Sequence, residues 1–250
     1  MSDDPIAKGL PPVDLHEYGG KKDGEKQKLD RRLFMQLLVF DVPAGEGADA
    51  HARELLARLR DANVAAVVYA DLMSPRGVGL LTWSEQPAHF VTAVRPLFSS
   101  GALRDAELRD DYAMIGRSYG TGHEPDLEWF LLRRPVENVM HEAFPWHVWY
   151  PLRRSGAFSK LEPIEQSHIL REHAALGIAY GQTDAAHDVR LACHGLDAKD
   201  NEFLIGLIGK ELHPLSHLVQ AMRKTRQTSE FIQQMGPFFV GHVVGRSSAK

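Results

Sequence analysis

The chain has few of the features that mark several protein classes. Its 250 residues contain one cysteine, Cys193, which excludes an intramolecular disulfide and any cluster held by several thiolates. Its 29 Lys and Arg are outnumbered by 33 Asp and Glu, giving a net charge of -4, which argues against nucleic acid as the main partner. No run approaches the ~18 apolar residues that span a bilayer, and the first residues lack the pattern of a secretory signal. We therefore expect a cytoplasmic protein with no nucleic acid partner and no membrane span.

What is present is the composition of an ordinary globular protein. Hydrophobic residues make up 44% of the chain and charged residues 25%, which excludes wholesale disorder and repetitive fibrous structure. The length allows one large domain or two modest ones. The chain also has 13 histidines, a reason to search for metal ligands, although most histidines lie on surfaces or in cores.

The N-terminal segment, residues 1–32, differs from the rest of the chain. It is rich in proline, glycine and charge and has no apolar period, which predicts a mobile arm or a clamp ordered on a neighbouring subunit. Residues 33–122 then alternate strand-like and helix-like periods in the order β-α-β-β-α-β. That order is typical of a ferredoxin-like unit.

The second half, residues 123–250, repeats this order without obvious residue identity to the first. It predicts a helix that begins at Pro163 and ends before Gly177, and a later long helix over residues 212–231. Two such halves predict an α+β fold in which two antiparallel sheets face each other with helices outside. The alternative is two independent domains joined near residues 123–127. The short linker and the apolar strands favour one fused unit.

Histidines on the two predicted helices are the first candidate ligands. His173 shares a helix face with Ile169 and Leu176, so it is either a core histidine or a metal ligand. His213 and His217 have the i, i+4 spacing that can hold a metal on one helix face, but no third ligand is evident in the sequence. We interpret that pair as structural.

A strand in the second half supplies an aromatic and cationic pattern. Alternation places Trp146, Val148 and Tyr150 on one face of the segment PWHVWYPL. Arg153 and Arg154 follow and can bind carboxylates. The pattern predicts a pocket that is aromatic on one side and cationic at its rim, which suits a flat acidic ligand such as a porphyrin.

These segments resemble the chlorite dismutase family, and more specifically its branch called HemQ, the coproheme decarboxylases. The resemblance covers residues 33–245 in element order and is residue-specific from about residue 146. It implies a dimeric α+β barrel made of two ferredoxin-like halves, with haem bound in the second half and His173 as the axial iron ligand. The segments that carry the resemblance are YPLRR, LEPIEQSHILREHAALG, GLDAKDNEFLIGLIG, MRKTRQTSEF and GPFFVGHVVGR.

The resemblance also implies roles around the reacting group. Tyr150 matches the tyrosine that forms a radical and attacks a propionate. Arg154 stands where a lysine is typical, and Leu152 replaces a methionine. Thr228, with Ser229 beside it, corresponds to a propionate-binding serine.

Further implied contacts lie on two other segments. Arg133 and Arg134 are candidates for a propionate-binding arginine. Asp188 and Arg190 share one face of the strand that precedes the GLD motif, where the family carries its residue above the iron. If the family's spacing is instead counted forward from His173, the distal position falls on Ala186. The sequence therefore leaves three candidates for the residue above the iron, namely Asp188, Arg190 and Ala186.

The function implied is the conversion of iron coproporphyrin III (coproheme) to haem b with hydrogen peroxide. The runner-up is chlorite dismutation to chloride and oxygen, which uses a distal arginine and a carboxylate on the proximal histidine. Thr228 stands where that carboxylate is expected, although Glu230 is near. A third alternative is a haem-binding protein without turnover. The resemblance also implies a homo-oligomer, commonly a pentamer.

Overall fold

The protein folds into twelve strands and five α-helices in a computed structural model that describes residues 12–45 and 47–249. The strands are β1 (Glu17–Lys22), β2 (Glu25–Leu29), β3 (Phe34–Asp41), β4 (Ala66–Asp71), β5 (Gly77–Ser84), β6 (Glu107–Leu108), β7 (Met114–Ser118), β8 (Trp146–Arg154), β9 (His187–Ala192), β10 (Phe203–Gly209), β11 (Ile232–Met235) and β12 (Phe239–Ser247). The helices are α1 (Ala48–Asp61), α2 (Arg134–Met140), α3 (Gly156–Ser159), α4 (Pro163–Gln182) and α5 (Leu212–Met222).

Each half has the strand order of a ferredoxin-like unit. In the first half the hydrogen-bonded order is β7-β3-β5-β4, and in the second it is β12-β8-β10-β9. In both, the first and third strands of the half are central and the second and fourth are at the edges. The α+β fold of two ferredoxin-like halves is therefore confirmed.

The two sheets are joined at both edges. Strand β7 pairs with β9 on one side, and β4 pairs with β12 on the other. Because β8 also pairs with β10, eight strands form a closed antiparallel barrel. The sheets expected to face each other are thus one continuous barrel, and closure leaves neither half with an open edge in these eight strands.

Alternation along the barrel strands separates three apolar layers. Inward-facing side chains such as Met35, Leu37, Tyr69, Trp149 and Leu191 fill the barrel interior. The outer face of the first half packs against α1, and the outer face of the second half packs against α4 and α5. The period-two pattern therefore sends Tyr150 toward the helices and its neighbour Trp149 into the barrel.

Several helix ends differ from the sequence prediction. Helix α4 continues through Gly177 to Gln182, because a glycine costs a helix interior only about 1 kcal/mol. Helix α5 ends at Met222, where the Thr225 hydroxyl donates to the Met222 carbonyl at 2.8 Å and replaces a helical partner. Residues 86–101, whose helix-like period supplies the second helix expected in the first half, form a π-helical turn and 3₁₀ turns instead. No helix within the described ranges is long and apolar enough to cross a membrane.

The N-terminal segment contains regular structure that the sequence did not predict. Residues 1–11 of the expected arm lie outside the described residues. Strands β1 and β2 form a hairpin, and Gly20 N donates to the Glu124 carbonyl at 2.9 Å. The Gln27 amide nitrogen donates to the same carbonyl at 3.0 Å. Charged strands with few apolar residues gave no periodic signal. The hairpin docks on residues 124–127 through one main-chain bond from Gly20 N and through the side-chain amide of Gln27. The domain boundaries at residues 32 and 122 stay a prediction.

Candidate functional site

Strand β8 places Tyr150 on the helix side of the barrel. Its side chain is 6% exposed, and its ring stacks on Phe238 with centroids 4.6 Å apart. Burial raises the pKa of the Tyr150 phenol, and Asp188 raises it further, against an opposing effect of Arg223. Tyr150 is therefore a neutral phenol at physiological pH.

The sheet register places two of the predicted distal residues beside Tyr150. Across β10, Ile205 is opposite Tyr150 on one side and Arg190 on the other. Asp188 lies two residues along β9 and shares the face of Arg190. The structure thus places Asp188, Arg190 and Tyr150 on one surface of the sheet. Ala186 is buried in the same apolar layer as Tyr150, just before β9 begins.

Two arginines enclose the carboxylate of Asp188. Arg134 forms a short ion pair with Oδ1, and Arg190 Nε lies 3.0 Å from Oδ2. Both guanidinium groups also lie over the ring of Phe130. Burial raises the pKa of Asp188, but the two arginines outweigh it, so the pKa lies below its usual range. The cluster carries two positive charges against one negative.

Arg190 has unused hydrogen-bonding capacity. Its Nε is buried and makes no well-directed hydrogen bond within the described part of the chain. The cluster is therefore suited to a further anion, such as a carboxylate of a bound ligand.

His173 lies on α4 and is half-buried. Its Nδ1 is 3.4 Å from Thr225 Oγ1, whose proton goes to the Met222 carbonyl. Thr225 therefore accepts from Nδ1–H, which leaves the lone pair of Nε2 available. Burial lowers the pKa of His173, helped by Arg190 and opposed by Asp188 and Glu172. A neutral imidazole with a bare Nε2 is the form that binds a metal.

The remaining predicted site residues lie in different surroundings. Thr228 is 3.4 Å from Thr225 Oγ1, one contact further from His173. The Arg154 guanidinium lies over Phe158 and Phe203, with its Nε 3.4 Å from Glu202. Arg133 is exposed and makes no hydrogen bond or ion pair among the described residues. Of the two predicted propionate-binding arginines, the structure brings Arg134 alone to the cluster.

Two residues of this site were missed by the sequence analysis. Thr225 contacts His173, whereas the family pattern pointed to Thr228, three residues later. Tyr119, at the end of β7, comes from the first half of the chain. Burial raises the pKa of Tyr119, and Arg190 and Arg154 lower it, because both lie near its phenol. The alternation of β7 was the available signal for Tyr119, but only the pairing of β7 with β9 brings it to this site.

The two histidines of α5, His213 and His217, lie close to each other. The His217 ring accepts or donates a short hydrogen bond with the Tyr180 hydroxyl, and the His213 ring centroid is 6.0 Å from that of His217. Within residues 12–45 and 47–249 no group of three or more His, Cys, Asp or Glu side chains is arranged to hold a metal ion.

Comparisons with known proteins match this fold and the segment that contains the candidate site. The family model described as chlorite dismutase matches residues 130–244. A heme-binding protein from Thermus thermophilus is 18% identical, with a TM-score of 0.66 over 86% of this chain and 92% of that one. Chlorite dismutase from Candidatus Nitrospira defluvii in complex with imidazole is 12% identical, with a TM-score of 0.65 over 87% and 93%. A comparison with curated proteins gave no match.

These findings show which known fold the chain has and which family model its second half matches. The described chain has the barrel fold of chlorite dismutases and of a heme-binding protein. Residues 130–244 match the chlorite dismutase family model, in agreement with the sequence resemblance. That segment contains Tyr150, His173, Asp188 and Arg190.

The residues present fit a haem. Helix α4 has a single buried side chain, Ile169, along its 20 residues, so it packs lightly above the sheet. His173 on that helix offers a bare Nε2 for iron. The cluster of Arg134 and Arg190 with Asp188 has one excess positive charge and a buried nitrogen without a well-directed partner, which complements porphyrin carboxylates.

Proposed function

We propose that this protein binds iron coproporphyrin III and, with hydrogen peroxide, removes two propionate carboxyl groups to give haem b. The observation that carries the proposal is the juxtaposition of a buried tyrosine, Tyr150, with an arginine cluster on the sheet face below His173. A bound haem supplies the capacity to turn peroxide into a one-electron oxidant. The protein supplies the ligand, the carboxylate contacts and the tyrosine.

Each residue has a task that follows from its surroundings. His173 holds the iron through Nε2 while Thr225 fixes the ring orientation through Nδ1. Arg134 and Arg190 bind a propionate carboxylate and orient it, since a displacement of about 1 Å can cost about 10²-fold in rate. Tyr150 would give up an electron and its phenolic proton, then regain a hydrogen atom from the propionate side chain. The side chain would then lose carbon dioxide and one further electron to leave a vinyl group, and the two electrons removed are the two that one hydrogen peroxide accepts.

Arg154 suits a positioning task better than proton transfer. Its guanidinium is held by Glu202 and two aromatic rings, and a guanidinium stays protonated in proteins. We infer that Arg154 holds a positive charge in place at the end of β8. It does not transfer protons as a lysine at this position would.

The decisive experiment uses the purified chain loaded anaerobically with iron coproporphyrin III. Stoichiometric hydrogen peroxide is added and the porphyrin mass is read. The proposal expects the loss of two carboxyl groups in two steps, through an intermediate that has lost one carboxyl group and keeps three propionates. An unchanged porphyrin on a protein that binds it would contradict the decarboxylase.

Chlorite dismutation is the second candidate, and Arg190 favours it because an arginine on β9 is a possible distal residue. The partner of His173 Nδ1 counts against it. Thr225 is a neutral hydroxyl, whereas a carboxylate there would make the imidazole more anionic and favour high-valent iron. Glu230 pairs with Arg226 instead. Oxygen release on adding chlorite to the haem-loaded protein would reverse this ranking.

Haem carriage without turnover is the third candidate, and the heme-binding relative from Thermus thermophilus supports it. It predicts Soret absorbance with no change of porphyrin mass under peroxide. A cytoplasmic location and assembly into a pentamer stay predictions. Sedimentation of the purified chain measures its subunit number.

A further inference from the structure

A second tyrosine, Tyr69, lies inside the barrel with its proton directed at a histidine. Its hydroxyl is 2.8 Å from His147 Nδ1, and His147 Nε2 is 3.2 Å from the Phe144 carbonyl. A carbonyl only accepts, so Nε2 carries the imidazole proton and Nδ1 accepts from the phenol. Both Tyr69 and His147 have no exposed surface.

The charge states of this pair are set by its burial. Burial lowers the pKa of His147 to about 3, and Arg246 acts in the same direction. Burial also raises the pKa of Tyr69. The resting pair is therefore a neutral phenol bonded to a neutral imidazole. A phenol that loses an electron becomes a far stronger acid, so its proton then has an acceptor already in place.

Trp149 connects this pair to the candidate site. It precedes Tyr150 in β8 and lies on the opposite face of the same strand, beside Tyr69. Its indole covers Gly206 so closely that a Cβ there would lie 2.6 Å from the ring. Gly206 adjoins Ile205, which is the register partner of Tyr150. One layer of sheet therefore separates Trp149 from the face that carries Tyr150.

We propose that Tyr69 and His147 form a redox-active pair, reached through Trp149, that takes up oxidising equivalents from the Tyr150 face of the sheet. In this step Tyr69 transfers one electron through Trp149 to the oxidant generated from peroxide, which is reduced by one electron. The phenolic proton moves to His147 Nδ1, leaving a neutral tyrosyl radical and an imidazolium. A one-electron donor such as ascorbate later restores the phenol, and the proton returns to it.

This inference rests on the proposed function, because it needs an oxidant formed from peroxide at the haem site. Its use follows from position. When peroxide arrives and no reactive propionate is bound, as with haem b in place, the surplus equivalent passes into the barrel interior. There the oxidising equivalent resides on Tyr69, next to the proton acceptor His147 and away from Tyr150.

Freeze-quench EPR of the haem b-loaded protein with one equivalent of hydrogen peroxide tests the pair. In a Tyr150→Phe background we expect a tyrosyl signal that narrows when ring-deuterated tyrosine is incorporated. Tyr69→Phe should remove about nine-tenths or more of the tyrosyl signal. His147→Gln should slow the formation of the signal about 10²-fold, because the base that accepts the phenolic proton is lost. Trp149→Phe should also slow the formation of the signal, although Tyr69 itself is unchanged.

Tyr180→Phe is the matched control, since Tyr180 also bonds a histidine, His217, but on the outside of the molecule. It should leave the signal unchanged. A signal of the same size in Tyr69→Phe, or its loss in Tyr180→Phe, would overturn the proposal. Soret absorbance is read on the same samples, and porphyrin mass is read on parallel coproheme-loaded samples with Tyr150 intact. A protein that consumes peroxide and leaves coproheme unchanged therefore counts against the decarboxylase alone, while the EPR signal still decides on Tyr69.

Discussion

Tyr150 is the residue on which the proposed chemistry depends. Tyr150→Phe keeps the ring that stacks on Phe238 and removes only the hydroxyl. We expect the variant to bind coproheme with a Soret band like that of the unmodified protein and to leave the porphyrin mass unchanged after peroxide. Tyr180→Phe, at the outer surface, should decarboxylate normally. Decarboxylation by Tyr150→Phe at the unmodified rate would remove the radical role.

The His173 and Thr225 contact makes a separate prediction about affinity. His173→Ala should abolish the Soret band of added haem. Thr225→Val should weaken haem binding about 10–100-fold, as loss of a partner that orients a ligating histidine does, whereas Thr225→Ser keeps the hydroxyl and should bind normally. Equal affinities for the valine and serine variants, measured by haem titration, would show that Thr225 has no part in orienting the ring.

The pH dependence of haem ligation follows from the same histidine. Burial lowers the pKa of His173, so Nε2 stays unprotonated below the ordinary histidine pKa of about 6.5. Haem affinity should therefore hold as the pH falls through that value and decline only at more acidic pH. Spectral titration of the haem-loaded protein measures this.

At the scale of elements, periodicity was informative where one face is buried. Strand β8, for example, follows the alternating segment PWHVWYPL within two residues at each end. The β1–β2 hairpin and the end of α5 depend on long-range and capping hydrogen bonds, which leave no period in the sequence. The same reason explains the site: Tyr150 and His173 carry a family motif, whereas Tyr119 and Thr225 join it only through strand pairing and a helix end.

The hairpin makes its own prediction through Gln27. Its amide donates to the carbonyls of Gly20, Glu124 and Pro125, and its oxygen accepts from Leu127 N. Gln27→Ala leaves these partly buried groups without partners, which should cost about 1–3 kcal/mol of stability. Hydrogen exchange of the Gly20 and Leu127 amides should rise. The exposed neighbour Lys28→Ala is the control, and equal exchange in both variants would contradict the docking of the hairpin.

At the scale of the molecule, barrel closure couples the two halves. Each half supplies two edge strands, and the pairs β7–β9 and β4–β12 give every edge a partner from the other half. A half on its own would expose two unpaired edges and one side of the barrel interior, including Trp149, Tyr69 and Leu191. The apolar surface buried between the halves therefore contributes to the stability of both halves at once.

This coupling predicts one unfolding transition for the barrel. Tryptophan fluorescence reports mainly on the second half, where Trp129, Trp146 and Trp149 lie, with Trp83 in the first. Its midpoint in urea should coincide with that of far-UV circular dichroism, which reports on both halves. Residues 123–250 expressed alone should lack cooperative unfolding. Two separate midpoints, or a cooperatively folded second half that binds haem, would instead support two independent domains, because strand pairing between the halves would then contribute little to either.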